Sequence, residues 1–251
     1  MKKDTFYFQW HITNLCNLRC LHCYQDIFSD KDELDWSGLK NISDNIATTL
    51  NKWQRPALVT LTGGEPLIKK ELFLLLEYLN KIKEIREINI ITNLTLLNDS
   101  ALSKLKSISK LKKIKFSLEG INPQVNDSIR GKGSFEKIMK AVEALKKCKQ
   151  FESHLMFTVL RSNLKEIPKL FSFCQEHKIV GFILERFIPL GQGASMKDEV
   201  LSKDDWRELV ELVLEFCQLK PAPEDILGQR AFWVKFFNGS DAFDYVFHID
   251  S

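Results

Sequence analysis

The chain reads as an α/β protein with a parallel sheet, on three observations. Six short β-rich runs alternate with six longer stretches of helical period, the order that gives parallel strands with crossover helices. The residues able to do chemistry gather just past the ends of the β-rich runs. At 251 residues the chain suits one large domain or two small ones, and α/β barrels of about 200–250 residues are single domains. Either an open doubly wound sheet or a partial barrel fits this order.

The elements follow from local pattern. Strands are predicted over Phe6–Thr13, Ala57–Thr62, Glu87–Thr92, Lys113–Leu118, His154–Leu160 and Phe182–Ile188. Helices are predicted over Asp35–Lys52, Lys70–Lys83, Asp99–Ile108, Ser134–Lys147, Leu164–His177 and Lys203–Gln218. Asp35, Ser134, Asn163 and Ser202 are suited to N-caps, because a short polar side chain can accept from the first free backbone N–H groups. Pro56 punctuates the entry to the second strand and Gly120 the exit from the fourth. Six lysines between 104 and 115 read as a solvated helix end and strand entry, with a basic peptide-docking patch as the alternative. Pro221 and Pro223 mark a break. Phe232, Trp233, Phe236, Phe237, Phe243, Tyr245 and Phe247 follow it, a segment expected to cover a sheet edge or substrate mouth, or to begin a further domain. The expected division is residues 1–218 and an aromatic-rich extension over 219–251.

Composition excludes several classes. Apolar residues make up 44% and charged residues 27%, which argues against a disordered chain. A net charge of +3 is too small to argue for nucleic acid or an anionic membrane. Gln9 and His11 interrupt the first apolar run, a poor secretion signal, and no run of 18 apolar residues exists to span a membrane. A cytoplasmic protein is the expectation.

Of six cysteines, Cys16, Cys20 and Cys23 crowd together directly after the first strand. In a chain without a secretion signal such a cluster points to metal rather than disulfides. Thiolates suit zinc or iron–sulfur clusters. A zinc site would need His11 or His22 as a fourth ligand and lacks the second short ligand pair of structural zinc. A cubane cluster usually takes four cysteines, so three would leave one iron open to another molecule. Cys148, Cys174 and Cys217 are expected in the core, and His154, His177 and His248 carry no pattern.

Cys16-Asn17-Leu18-Arg19-Cys20-Leu21-His22-Cys23-Tyr24 resembles the CxxxCxxC loop of the radical S-adenosylmethionine (SAM) enzymes, and Gly63-Gly64-Glu65-Pro66 after the second strand resembles their GGEP motif. Thr92-Asn93 ends the third strand where many relatives continue with glycine; here Leu94 stands instead. Ser117-Leu118-Glu119-Gly120 resembles the family's Ser-Leu-Asp-Gly, and Arg130-Gly131-x-Gly133-Ser134-Phe135 its segment entering the next helix. Glu185 to Gly193 resembles the segment found in the subgroup that carries a cysteine-rich C-terminal SPASM domain, although the SPASM cysteines are absent.

The resemblance implies a partial (β/α)6 barrel of TIM type, with these motifs on the rim formed by the strands' carboxyl ends. It implies one [4Fe–4S] cluster on Cys16, Cys20 and Cys23, and SAM on the open iron. The backbone of Gly63, Gly64 and Pro66, with the Glu65 carboxylate, would receive the SAM ammonium. Asn93 would belong to the SAM site, Ser117 and Glu119 would serve its ribose or methionine end, Arg130 its carboxylate, and His22 and Leu190 its adenine. The implied reaction is reductive cleavage of SAM to a 5′-deoxyadenosyl radical that takes hydrogen from a substrate. The nearest resemblance is to maturases of ribosomally made peptides or proteins. A small metabolite or tetrapyrrole is the alternative substrate, and a non-catalytic metal-binding module a remote one. A flavodoxin or ferredoxin is the implied electron donor. No residue stands out as a catalytic base.

Overall fold

The computed structural model describes residues 5–217, 231–236 and 243–246, with side chains through residue 213. It divides into two compact units. One comprises Met1–Leu18, Ile27–Phe116 and Lys147–Glu152; the other comprises Arg19–Asp26, Ser117–Lys146 and Ser153–Ser251. The β/α alternation is that of an incomplete (β/α) barrel.

In the first unit β1 (Phe6–His11), β2 (Ala57–Thr62), β3 (Ile85–Thr92) and β4 (Leu111–Ser117) run parallel in chain order. Helix α1 (Trp36–Trp53) starts where Asp35 accepts from the Gly38 N–H at 2.9 Å, the expected cap, and stops at Gln54 in the left-handed region. Helix α2 (Leu72–Lys81) buries Leu72, Leu75, Leu76 and Leu79, the i, i+3, i+4, i+7 stripe of one face. Helix α3 (Asp99–Lys106) buries Leu102 and Leu105. The sheet gives this core Val59, Leu61, Ile88, Ile90, Ile114 and Phe116, each contributing about 1.5–3 kcal/mol on burial. β3 and β4 begin earlier than expected, at Ile85 and Leu111, because both residues are fully buried and extend the apolar alternation upstream. The lysine run is absorbed locally. Lys110 Nζ donates to Ile82 O at 2.6 Å, Lys112 Nζ to Ser109 O at 2.9 Å, and Lys104 lies over the Phe73 ring at 4.9 Å.

In the second unit β5 (Glu152–Val159) and β6 (Gly181–Arg186) are parallel, and Leu118 N donates to Met156 O of β5 at 3.0 Å. Helix α4 (Pro123–Arg130) is not visible in the sequence pattern: its eight residues are mostly polar, and it stands on an Asn122 cap with Pro123 in the first turn. Helices α5 (Ser134–Lys146), α6 (Ile167–Glu176) and α7 (Lys203–Cys217) follow. Ser202 caps α7 as expected, its Oγ accepting from Asp205 N at 3.2 Å. Asn163 does not cap α6. It sits in a 3-10 turn, Arg161–Glu166, and accepts from Leu160 N at 2.8 Å. Phe157, Phe182, Leu170 and Cys174 fill the core, with Phe171 edge-on to Phe182 at 5.0 Å. Burial pushes the Cys174 thiol far above its ordinary range, so it stays protonated as an inert core residue. Cys148 is a half-buried free thiol.

The aromatic extension supplies two strands at the edge of β6. β7 (Ala231–Phe236) pairs antiparallel with β6, and β8 (Phe243–Val246) pairs antiparallel with β7. Their side chains, those of Cys217 and His248, and the expectation that this segment covers a substrate mouth lie outside the described residues.

Candidate functional site

The candidate residues fall into two groups, one in each unit. In the first, the GGEP turn packs against the strand leading to Cys16. Gly64 N donates to Thr13 O and Glu65 N to Leu15 O, both at 2.8 Å. A Cβ on Gly63 would lie 2.5 Å from Thr13 O, and one on Gly64 would lie 2.3 Å from Leu15 O. The two glycines are therefore required by the closeness of the cysteine-bearing backbone.

Glu65 is fully buried. Its carboxylate accepts from Leu67 N at 2.9 Å, Thr92 Oγ1 at 2.7 Å and Asn93 N at 2.6 Å, which ties the GGEP turn to the end of β3. Asn93 in turn reaches the cysteine loop: its Nδ2 donates to Asn17 Oδ1 at 2.9 Å and approaches Cys16 Sγ at 3.7 Å. The Leu18 N–H also points at Cys16 Sγ, at 3.4 Å. Leu94, in the place of the relatives' glycine, keeps a left-handed backbone at φ 65 with its side chain fully buried.

Glu33 and Lys69 hold this group from behind, and nothing in the sequence pattern marks them. Glu33 accepts from the Thr13 hydroxyl, from Asn14 N at 2.9 Å, and from Lys69 Nζ at 2.8 Å. Burial opposes its charge, but the hydrogen bonds from Lys69 and Thr13 outweigh that and hold its carboxyl below the ordinary range.

In the second group, His22 and Cys23 lie beside the segment after β6, and Cys23 N donates back to Cys20 O at 3.1 Å. Gly193 N donates to Cys23 O at 3.0 Å, and Gln192 N to Gln25 O at 3.2 Å. Gly191 has φ 56, and a Cβ there would lie 2.1 Å from Tyr24 O, so both conformation and space demand glycine. Leu190 is 58% exposed, and Leu21, Tyr24 and Ile188 are exposed as well.

Glu119 is 1% exposed and sits between two basic groups. Arg130 Nη1 donates to it at 2.7 Å, and His22 Nε2 lies 3.4 Å from its other oxygen. Burial would raise its pKa; the charges of Arg130 and His22 outweigh that and lower it to about 2. Its backbone is fixed too. Glu119 N donates to Asn126 Oδ1 at 3.2 Å, and Asn163 Nδ2 donates to Glu119 O at 3.1 Å. Glu166 accepts from Ile121 N at 3.0 Å and Asn122 Nδ2 at 2.8 Å, which anchors the turn after Gly120. Ser117 is half-buried at the end of β4. His22 Nδ1 is buried with no hydrogen-bond partner among the described residues.

The histidines weighed as zinc ligands are engaged with other partners: His11 Nε2 meets Asn14 Oδ1 at 2.8 Å, and His22 meets Glu119. Among the described residues, no three His, Cys, Asp or Glu side chains gather as ligands of a single metal ion. No helix among them is long and apolar enough to cross a membrane.

Comparison with known proteins gives the following. The family model described as the radical SAM superfamily matches residues 10–174. The chain is 34% identical to Fe-coproporphyrin III synthase of Methanosarcina barkeri over 82% of its own length and 50% of that protein. It is 27% identical to the mycofactocin maturase MftC of Mycolicibacterium smegmatis over 76% of its length and 47% of that protein. The chain thus spans about half the length of the curated relatives it matches. Its fold is that of Streptococcus suis SuiB, solved with the precursor peptide SuiA, at a TM-score of 0.71 and 19% identity, over 87% of this chain and 47% of SuiB. It is also that of anSMEcpe, solved with AdoMet and a peptide, at a TM-score of 0.71 and 20% identity, over 85% of this chain and 60% of that one.

Proposed function

The chain belongs to the radical SAM superfamily, and from that premise we propose that it is an enzyme holding a [4Fe–4S] cluster on Cys16, Cys20 and Cys23 and binding SAM beside it. The observation that carries this reading is the pair of tightly packed loops at strand ends: the GGEP turn against Thr13 to Leu15, and Gly191–Gly193 against Tyr24 and Cys23. Each brings a cysteine-bearing segment to a backbone that only glycine allows. The residues fit the groups. Soft thiols suit iron, and N–H donors already face Cys16 Sγ. The orphaned buried Nδ1 of His22 and the exposed Leu190, in the same unit, suit a heterocycle with a polar edge.

When bound, the cluster and SAM supply one electron and a carbon radical able to take hydrogen from an unactivated carbon. The protein's part is to bind, orient and exclude. Asn93 positions Cys16, and Glu65 holds Asn93 by its backbone N–H. The carbonyls of Gly63, Gly64 and Pro66 and the Glu65 carboxylate receive the SAM ammonium. Arg130 receives its carboxylate, since a guanidinium offers five donors and can serve Glu119 and a ligand together. Ser117 serves the sugar and methionine end. Anaerobic reconstitution with iron and sulfide, reduction, and assay of 5′-deoxyadenosine test the reading; no product from a protein with full iron content refutes it.

We assign a peptide or protein as the substrate, supported by the likeness to MftC and by the peptide-bound relatives that share the fold. A tetrapyrrole is the second reading, favoured by the 34% identity to Fe-coproporphyrin III synthase. A flavodoxin or ferredoxin is the proposed electron donor, and the reducing cytoplasm the proposed location. Residues 1–218 are proposed as the catalytic unit, with 219–251 leading into an auxiliary region.

A further inference from the structure

The cysteine loop leaves the first unit and returns to it: residues through Leu18 and from Ile27 onward belong to that unit, and Arg19–Asp26 to the other. Its entrance and its return are tied together by two residues that lie outside every motif. Residues 13–15 lead into Cys16, and their backbone is held from two sides. On one side the carbonyls of Thr13 and Leu15 accept from Gly64 N and Glu65 N of the GGEP turn. On the other the Glu33 carboxylate accepts from Asn14 N at 2.9 Å, from Leu15 N at a longer 3.4 Å, and from the Thr13 hydroxyl. Glu33 stands two residues before the Asp35 cap of α1, where the excursion has ended.

Lys69 closes the ring. It follows the 3-10 turn Pro66–Ile68, and its N–H donates to Pro66 O at 3.0 Å. Its Nζ donates to Glu33 Oε2 and to Leu34 O, both at 2.8 Å, and lies 3.6 Å from Glu71 Oε2. The GGEP turn, the entrance to the cysteine loop and its return are thus joined through one ion pair. The pair is buried, with 4% of the Lys69 side chain and 12% of the Glu33 side chain exposed.

A buried ion pair is a poor source of stability. Desolvation of both charges offsets their attraction, and apolar side chains of similar volume often do as well. A leucine at position 33 could fill the space, but it could not accept from Thr13, Asn14 and Leu15. What the charged pair adds is therefore placement of the backbone just before Cys16, together with closure of the loop at its base, which narrows the conformations open to the residues between. Cys16 Sγ needs that placement, since it is approached by Leu18 N at 3.4 Å and by Asn93 Nδ2 at 3.7 Å.

Resting on the reading of Cys16, Cys20 and Cys23 as cluster ligands, we propose that Glu33 and Lys69 are positioning residues: a clasp that closes the cysteine loop at its base, sets Cys16 against its N–H donors and slows loss of the cluster.

The full-length protein is reconstituted anaerobically with iron and sulfide, and two quantities are followed: loss of iron to a ferrous chelator, bathophenanthroline disulfonate, and the midpoint potential of the cluster. Glu33→Gln keeps the shape of the side chain but removes its charge and one acceptor oxygen. Iron loss quickens about tenfold or more, the scale of one charge-assisted contact. The potential falls, because Cys16 is no longer held against its N–H donors, and donors to sulfur favour the reduced cluster. Leu79→Ala is the control. It opens a cavity in the core of the same unit, away from the clasp, and leaves both quantities at their wild-type values. Where Glu33→Gln does not fold, Glu33→Gln combined with Lys69→Gln, which leaves no buried charge unpaired, is read in its place. Wild-type values in the Glu33 variant, or equal changes in Leu79→Ala, would each overturn the proposal. The underlying reading fails in a different way, as a wild-type protein that takes up no iron. The clasp is then read in the unloaded protein from amide exchange at Asn14 and Leu15, which Glu33→Gln quickens about tenfold or more and Leu79→Ala does not. Equal exchange in wild type and Glu33→Gln would overturn it there.

Discussion

Glu65 and Glu119 are both buried carboxylates just past the end of a parallel strand, yet they are held in opposite ways. Glu65 accepts from neutral donors: two backbone N–H groups and a threonine hydroxyl. Glu119 lies against the Arg130 guanidinium and the His22 ring. The first is a clamp that joins one loop to the next strand end, and its worth lies in geometry. The second is an electrostatic centre, whose worth rests on the permanent charge of Arg130. Similar position in a β/α unit thus does not imply similar chemistry.

The largest effect tests whether the two groups serve one cluster at all. Cys16 belongs to the Glu65 group, while Cys20 and Cys23 belong to the Glu119 group. Alanine at any of the three should abolish visible iron–sulfur absorbance and SAM cleavage alike. A Cys16→Ala protein that kept the full cluster would break the link between the groups. Cys148→Ala and Cys174→Ala should leave the iron content unchanged.

Next come the partners of the charged centre. Arg130→Met leaves Glu119 buried without its main counter-charge, and breaking such a pair costs about 3–5 kcal/mol. Glu65→Gln disturbs a neutral clamp and should cost about 1–3 kcal/mol. Urea unfolding of the two variants checks the order; a reversed order would mean that Glu65 carries the larger electrostatic burden. Arg130→Met and Glu65→Gln should both weaken SAM binding, Glu65→Gln through displacement of Asn93 and its neighbours.

The same contrast sets a pH dependence. Glu119 has a folded pKa lowered to about 2 from 4.5. A depressed carboxylate contributes stability that is full above its unfolded pKa and is lost as pH falls toward its folded one. Stability should therefore decline from about pH 5 down to about pH 2, and Glu119→Gln should flatten that decline. An acid limb of equal slope in wild type and variant would remove Glu119 as its cause.

The two groups also differ in how they could be read from sequence. The cysteine loop, Gly63–Pro66, Ser117–Gly120 and Gly191–Gly193 are legible because each needs particular residue types at short spacing, either thiols or glycines forced by close backbone. Their supports are not. Glu33 meets Lys69 across 36 positions, and Asn163 reaches Glu119 across 44. Ordinary polar residues that meet only in the fold carry no local mark. Asn163 even carries a misleading one, since a polar residue before a helix suggests a cap. Helix α4 hides because its eight residues are mostly polar and offer only Val125 and Ile129 as an apolar pair at helical spacing.

The smallest effect sharpens the neutral side of the comparison, at Leu94. This residue follows the Asn93 whose backbone Glu65 holds, and it combines φ 65 with complete burial. A left-handed backbone costs an ordinary residue roughly 1–2 kcal/mol, while a buried leucine contributes about 1.5–3 kcal/mol. Burial thus offsets the strain that glycine would avoid. Leu94→Ala loses the packing and keeps the strain, so it should destabilise by about 2–5 kcal/mol. Leu94→Gly gives up the buried Cβ as well, about 0.8 kcal/mol, and carries an entropic cost of about 0.5–1 kcal/mol, but it relieves the strain. Glycine should therefore be no worse than alanine here, whereas at an unstrained buried site it would be worse by about 1–2 kcal/mol. Denaturant unfolding of the two proteins decides it. A glycine variant less stable than the alanine one by that amount would mean that the turn gives up its left-handed conformation once the leucine is gone, and that the Glu65 clamp does not hold Asn93 in place by itself.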